Sequence, residues 1–236
     1  MPGMTYHVTH RCHNRNFLLK FSKDRDLYRS MMRERLKAFD VSLLTYCITG
    51  NHVHLLLRAS GSEDSSISGF MQSLEGDFAQ SYNIRKERSG AYWGDRYHAT
   101  MIDSGEYLWS CMKYIDLNMV RAGVVTHPRE WAWTGYQELM GLRKRYRMLD
   151  VERLLELLGD SKADKFRKNY DVSIAESIVR HECVREERWT ESLAVGGEAF
   201  VKEVSGRIRN RIQVEVEKDP THADSWVVRE VRPAYS

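Results

Sequence analysis

The stretch that decides the fold is Thr49-Gly50-Asn51-His52-Val53-His54-Leu55-Leu56-Leu57. It opens with a Gly-Asn turn and continues as a run of β-strand composition. Because side chains alternate between the two faces of a strand, His52 and His54 share one face, and the aliphatic residues at 53, 55 and 57 share the other. The aliphatic face requires a core. The opposite face presents two neighbouring imidazoles, which suit one divalent metal but do not by themselves establish one.

Strand and helix patterns surround this stretch. Residues 41–48 have the composition of a strand and are predicted to form an antiparallel hairpin with the histidine strand. Amphipathic helices are predicted on either side of the hairpin, over 27–39 and 67–82, because apolar residues recur there at helical spacing. A polar loop is predicted at 61–66. Two further strands are predicted at 6–11 and 96–102.

A third helix is predicted from about Glu106 to Arg121, with Gly123 as the residue that closes it. The order of elements over residues 4–125 is therefore β-α-β-β-α-β-α. Two βαβ-type units that share one antiparallel sheet make the ferredoxin-like fold. We therefore expect an α+β protein with a ferredoxin-like antiparallel sheet, helices on one face, and a C-terminal, mostly helical extension.

The chain beyond residue 125 is more polar. The aromatic segment 131–136 is expected to pack back on the sheet. The basic run Arg143-Lys144-Arg145-Tyr146-Arg147 suits either a phosphate backbone with a stacked base or a solvated linker. A short amphipathic helix is predicted at 151–158. Residues 160–236 indicate further polar helices and a proline-containing end.

Composition limits the class of protein. The chain has 236 residues, of which 42% are hydrophobic, enough for one large domain. No apolar run approaches the length of a membrane span, and the first residues lack the pattern of a signal peptide, so we expect a cytoplasmic protein without a membrane partner. The four cysteines are scattered, which argues against a cysteine zinc site or a disulfide framework.

Charge is distributed unevenly along the chain. The net charge is +3, but residues 1–149 carry 21 Lys and Arg against 15 Asp and Glu, whereas residues 150–236 carry 15 against 18. A basic front part is consistent with a polyanionic partner such as a nucleic acid.

A second motif, on the third predicted helix, gives the histidine pair a chemical context. Tyr114 and Asn118 are four residues apart and so share one helix face. A metal held by His52 and His54, with the Asn118 amide oxygen as a third ligand, would suit Mg²⁺ or Mn²⁺ better than a closed zinc site. The Tyr114 phenol beside such a cation could attack a phosphodiester, giving a phosphotyrosine and a free hydroxyl.

These two motifs resemble those of a known family. Asn51-His52-Val53-His54-Leu55-Leu56 together with Tyr114-Ile115-Asp116-Leu117-Asn118-Met119-Val120-Arg121-Ala122-Gly123 is similar to the single-tyrosine His-hydrophobe-His transposases. Within them the chain most resembles the REP-associated tyrosine transposases. The segments 6–9, 92–97 and 133–136 also look like that branch.

The resemblance implies a catalytic domain over residues 1–140, followed by a basic linker and helical extension over 141–236. It implies that His52, His54 and Asn118 hold the metal, and that Tyr114 forms a 5′-phosphotyrosine on single-stranded, hairpin-forming DNA. Met119 stands where the family usually has proline, so we expect this helix to run longer or straighter. Monomer and homodimer are equally compatible with the sequence.

Three other interpretations compete with a transposase. One is a DNA-binding protein that has lost its chemistry, another is a phosphodiesterase that uses water, and the last is a ferredoxin-like domain with a fortuitous histidine pair. The histidines at 7, 10 and 13 lie outside the shared motif and are expected in the core or at the surface, although the first strand can lie beside the metal strand. The candidate DNA contacts are Arg11, Arg15, Arg96, Arg143, Lys144 and Arg145, with Tyr92, Trp93 and Tyr146 for stacking.

Overall fold

The structure is a computed structural model that describes residues 1, 3–60, 66–160 and 162–231. The polar loop predicted from residue 61 and the proline-containing end of the chain lie outside the described residues.

One mixed sheet runs through the described part of the chain, in the order β2-β3-β1-β4-β5-β7-β6. Its strands are β1 (Thr5–Arg11), β2 (Val41–Ile48), β3 (His52–Ala59), β4 (His98–Ile102), β5 (Ala194–Gly196), β6 (Val214–Lys218) and β7 (Trp226–Glu230). Strands β4 and β5 pair in parallel, and the other pairs are antiparallel.

The helices are α1 (Ser22–Ala38), α2 (Ser66–Arg85), α3 (Glu106–Asp116), α4 (Asn118–Arg121), α5 (Tyr136–Leu139), α6 (Val151–Leu158), α7 (Ala163–Val179), α8 (Arg188–Glu191) and α9 (Glu198–Ile208). Short 3₁₀ turns lie at His13–Arg15 and Pro128–Glu130. No helix in the described ranges is long and apolar enough to cross a membrane.

The first four strands confirm the ferredoxin-like plan. β1 lies between β3 and β4, β2 is at the edge, and α1 and α2 pack together on one face. The aliphatic side chains of β3 at 53, 55 and 57 are fully buried against these two helices, as their spacing predicted.

The opposite face of the sheet is also covered. Leu44 and Leu56 face a second core built by Met112 and Ile115 of α3, together with residues of α6, α7 and α8. The prediction placed helices on one face only. α3 and the C-terminal helices fill the other face, because the sheet has apolar side chains there as well.

The C-terminal extension contains the predicted helices and three strands that the prediction missed. β5 adds to β4, and β7 and β6 follow it, while α9 packs on this part of the sheet through Val201 and Val204. These strands have three to five residues each. Such short segments give weak periodicity, so helical polar patterns on either side dominated the interpretation.

The third predicted helix is interrupted. α3 ends at Asp116, Leu117 has non-helical backbone angles (φ −79°, ψ 1°), and α4 begins at Asn118. The expectation that Met119 lets the helix run longer or straighter was therefore wrong. The residues on either side of the break are both anchored: three hydroxyl groups donate to Asp116, and the amide of Asn118 contacts His54. Gly123 follows α4 with φ 67°, as predicted for its closing residue.

The aromatic segment 131–136 packs back on β2, as predicted. Gly135 N–H donates to the Tyr46 carbonyl at 2.7 Å, and Trp131 Nε1 donates to the Ile48 carbonyl at 3.0 Å. A Cβ on Gly135 would lie 2.2 Å from Thr45 Oγ1, so this close approach requires glycine.

Candidate active site

The histidine strand and the tyrosine helix meet on one face of the sheet. The ring centres of His52 and His54 are 4.8 Å apart, and the Tyr114 ring centre is 6.0 Å from that of His54. Asn118 Nδ2 lies 2.9 Å from His54 Nε2. Since α3 and α4 cross the face that carries the imidazoles, two motifs about sixty residues apart in sequence form one cluster.

The turn before β3 orients His52. Its Nδ1 lies 2.7 Å from Asn51 Oδ1 and 3.0 Å from Thr49 Oγ1. Because the Asn51 oxygen can only accept, Nδ1 carries the proton and Nε2 keeps the lone pair. The Thr-Gly-Asn turn therefore leaves Nε2 as the nitrogen of His52 that a ligand can reach.

His54 is in contact with another histidine, His7 of β1. His7 Nε2 lies 2.8 Å from His54 Nδ1, and His7 Nδ1 lies 2.8 Å from the Trp189 carbonyl of α8. His7 is fully buried, in agreement with a core role. Its partner could have been inferred from strand pairing, because β1 and β3 are neighbours and His7 and His54 point to the same face.

Burial keeps these imidazoles neutral. Burial lowers the pKa of His7 and of His52 to about 3, and lowers the pKa of His54 well below its ordinary value. The nearby cation of Arg121 acts in the same direction on each of these pKa values. Neutral imidazoles have a free lone pair, which is the form that binds metal.

Arg121 is a residue that the sequence interpretation missed. Its guanidinium carbon lies 4.1 Å from the centre of the Tyr114 ring, and its Nη2 donates to the Tyr114 carbonyl at 3.2 Å. Burial raises the pKa of the Tyr114 phenol, and the Arg121 cation opposes this shift. Tyr114, Asn118 and Arg121 follow an i, i+4, i+7 spacing, a signal that could have identified the arginine.

Tyr114 also lines a cavity of about 510 Å³. Lys113 and Arg121 belong to the same wall, and the opposite wall comes from the C-terminal extension, including His181, Glu186 and His222. The extension therefore helps to shape the space next to the tyrosine.

Two of the predicted DNA contacts lie beside this cluster. Arg11 is exposed at the end of β1 and pairs in register with His52, and the Arg15 carbonyl accepts from the Asn51 amide at 3.2 Å. The pKa of Arg11 is lowered by burial and then by the cations of Arg15 and Arg185, so these guanidinium groups are close to one another.

The other predicted contacts lie elsewhere. Arg96 lines a separate cavity of about 420 Å³ with His10 and Glu75. In the basic run, Arg143 donates to the Ala132 carbonyl, and Lys144 and Arg145 are exposed. The neighbouring Tyr146 ring lies 4.5 Å from the Arg33 guanidinium of α1. The structure therefore does not bring these four residues to the histidine cluster, and Tyr92 and Trp93 are buried.

The predicted ligand set fits a divalent metal. No group of three His, Cys, Asp or Glu side chains suited to a metal occurs in the part of the chain that the structure describes. The predicted set has two imidazoles and one amide instead. His52 Nε2 carries a lone pair, and His54 Nε2 faces the Asn118 amide, whose oxygen is on the same carbon as the nitrogen that now contacts His54.

Solved structures share the fold. One is described as a REP-associated tyrosine transposase bound to a REP hairpin; it is 16% identical, with a TM-score of 0.52, over 58% of this chain and 79% of that chain. Another, a putative transposase from Deinococcus radiodurans R1, is 18% identical, with a TM-score of 0.37, over 44% of this chain and 82% of that chain. No curated protein matches.

A family comparison gives the firmer assignment. The sequence model described as "Transposase IS200 like" matches residues 1–118, which is half of the chain and includes both the histidine and the tyrosine motifs. The chain belongs to the IS200-like transposase family.

Proposed function

We propose that this protein is a metal-dependent transposase that cleaves and rejoins single-stranded, hairpin-forming DNA through a 5′-phosphotyrosine on Tyr114. The observation that carries the proposal is the convergence of Tyr114 with His52, His54 and Asn118 on one face of the sheet. Residues 1–140 form the catalytic domain in this proposal, and residues 141–236 form the linker and extension.

His52, His54 and Asn118 are the residues that would hold Mg²⁺ or Mn²⁺. When bound, the metal polarises a phosphodiester oxygen and neutralises charge that develops at phosphorus. Tyr114 is the nucleophile, and it must lose its proton before attack because burial raises the pKa of its phenol. The Arg121 guanidinium next to the ring favours the phenolate and offers hydrogen bonds to a phosphate.

The covalent step conserves the phosphoryl bond energy. The Tyr114 oxygen forms a bond to phosphorus, the bond from phosphorus to the 3′ oxygen breaks, and that oxygen leaves as a hydroxyl after taking a proton. Attack of a 3′-hydroxyl on the phosphotyrosine reverses the step and joins two strands. No nucleotide cofactor is needed.

The family membership and the basic groups around the cluster support a DNA partner. Arg11 and Arg15 lie at the His52 side, and Lys113 and Arg121 line the cavity at the Tyr114 side. A hairpin is the DNA form named for the similar solved transposase, and we propose the same form here.

The test is cleavage of single-stranded hairpin oligonucleotides, taken from the flanks of the gene, in Mg²⁺ or Mn²⁺. Products are separated on a denaturing gel that retains covalent protein–DNA adducts. We expect an adduct that disappears in Tyr114→Phe and with a chelator. Tyr82→Phe, a buried tyrosine of α2 in the core on the other face, serves as the matched control and should keep the adduct.

Two outcomes would contradict the proposal. Cleavage that survives in Tyr114→Phe without an adduct would indicate a phosphodiesterase that uses water. Tight hairpin binding without cleavage in either metal would indicate a DNA-binding protein.

A further inference from the structure

Three consecutive hydrogen bonds connect the C-terminal extension to the candidate metal ligand His54. The Trp189 carbonyl lies 2.8 Å from His7 Nδ1, His7 Nε2 lies 2.8 Å from His54 Nδ1, and His54 Nε2 lies 2.9 Å from Asn118 Nδ2. All three side chains are buried, with exposed fractions of 0% for His7, 3% for His54 and 8% for Asn118.

The direction of this chain follows from its first member. A carbonyl oxygen only accepts, so His7 Nδ1 carries a proton, and a neutral imidazole has no second one. His7 Nε2 is therefore an acceptor and His54 Nδ1 is the donor. His54 Nε2 then keeps the lone pair. Because the direction is set at Trp189, it does not depend on which way the Asn118 amide is turned.

We propose that His7 is a positioning residue, which holds His54 in its Nδ1–H tautomer and so keeps Nε2 available to the metal. The inference rests on the proposed function, in which His54 is a metal ligand. Ligand histidines ordinarily donate their second N–H to a carbonyl, a carboxylate or water. Here an imidazole from the adjacent strand takes that place and passes the hydrogen bond on to a carbonyl.

The far end of the chain is itself held in place. Thr100 Oγ1 of β4 donates to the Trp189 carbonyl at 3.1 Å and to the Ser192 carbonyl at 2.7 Å. The Trp189 side chain is fully buried. The extension therefore contributes a fixed backbone acceptor to the site, beyond its role in covering the sheet.

The same contacts exclude His7 as a ligand. Both of its ring nitrogens are already used, one by Trp189 and the other by His54. A metal on His7 would have to break the bond that orients His54, so the three histidines are assigned as two ligands and one support.

The test uses the metal-free full chain and three variants. His7→Phe keeps a ring but removes both nitrogens, and His7→Gln keeps an acceptor near the Nε2 position. Val8→Ala is the control for a general loss of stability, because Val8 is buried on the opposite face of β1. Long-range ¹H–¹⁵N spectra of the imidazoles report the tautomer of His54, and calorimetric titration with Mn²⁺ reports metal affinity.

We expect the wild-type spectra to show the Nδ1–H tautomer for His54. In His7→Phe we expect a mixture of tautomers and an Mn²⁺ affinity lower by about 10- to 100-fold, the range typical of removing such supporting groups. His7→Gln should recover most of the affinity, and Val8→Ala should retain it.

The failures of the two proposals are distinguishable. An Nε2–H tautomer of His54 in the wild type would overturn this inference even if His7→Phe does not fold. So would His7→Phe that binds Mn²⁺ as tightly as the wild type with an unchanged tautomer; the proposed function would then stand. A wild-type chain that binds no Mn²⁺ would overturn the proposed metal site, and this inference with it.

Discussion

His7 and His10 lie on the same strand, three residues apart, and both are buried, but they face opposite sides of the sheet. On one side His7 contacts His54, another neutral imidazole. On the other side His10 Nδ1 pairs with the Glu75 carboxylate of α2, its Nε2 bonds to the Asp95 carbonyl at 2.8 Å, and its ring stacks on Trp93 at 4.4 Å.

The difference between the two sides lies in the partner. Glu75 gives His10 a charged partner inside the core, an arrangement that holds α2 to β1. The His7–His54 contact joins two groups that burial keeps neutral, and it leaves one lone pair free for a ligand. A buried histidine thus acquires a structural or a chemical role from what stands across from it, and the following predictions test that separation.

The largest expected effect is on the His54 side. We expect His54→Ala to lower the rate of DNA cleavage by at least about a thousandfold, because the charge stabilisation supplied by a bound metal amounts to several kcal/mol. The measurement is single-turnover cleavage of a hairpin oligonucleotide. The folded state should persist, since the site is at one end of the core. Cleavage at the wild-type rate by a folded His54→Ala would contradict the metal role.

The His10 side should show the opposite pattern. We expect His10→Ala to lower the free energy of unfolding by about 3 kcal/mol, because it leaves Glu75 buried without its partner. Urea unfolding measures this decrease. His10→Asn, which keeps a donor near the Nδ1 position, should recover part of it, and Mn²⁺ affinity should not change. A folded His10→Ala that no longer binds metal would show that the two faces are not separable.

Asp116 offers a third test, because this carboxylate on the tyrosine side is held by hydroxyl groups instead of a cation. It accepts from Thr45, Thr134 and Tyr170 at 3.1, 2.9 and 2.6 Å. Burial nevertheless raises the pKa of Asp116 from 3.8 to about 6. The folded state therefore binds its proton more tightly than the unfolded state, and its contribution to stability is present below pH 4 and is lost as the pH rises towards 6.

We expect this contribution to be about 3 kcal/mol, since each unit of pKa is about 1.4 kcal/mol. Asp116→Asn should remove it, so the difference in unfolding free energy between wild type and variant should change over pH 4–6 and be constant above about pH 7. Urea unfolding at a series of pH values measures the difference. A difference that is independent of pH would show that Asp116 is charged in the core at low pH.

Much of this arrangement could be predicted from local patterns. The strands and helices up to residue 116 follow from periodicity of two and of 3.6, and those periods place His52 with His54 and Tyr114 with Asn118. Their meeting in space follows from the order of elements in a ferredoxin-like sheet. Arg121 could also have been identified, since it continues the spacing of Tyr114 and Asn118.

Other parts depend on contacts that no local pattern contains. The acceptor at the end of the His7 chain is the backbone oxygen of Trp189, and a backbone oxygen has no sequence signature. The anchoring of Asp116 requires hydroxyl groups from β2, from the 131–136 segment and from α7. The break at Leu117 lies between two such long-range anchors, so helical periodicity could not locate it.

The smallest expected effect concerns the two basic groups. Arg11 and Arg15 lie beside His52, whereas Arg143, Lys144 and Arg145 lie away from the histidine cluster. We expect Arg→Gln at 11 and 15 to weaken binding and slow cleavage. Neutralising 143–145 should weaken binding alone, with a salt slope smaller by about 0.7 for each phosphate that the run neutralises in the wild type. Hairpin binding at several salt concentrations measures both. An unchanged slope would refute a DNA role for the basic run, and DNA binding would then be confined to the histidine side.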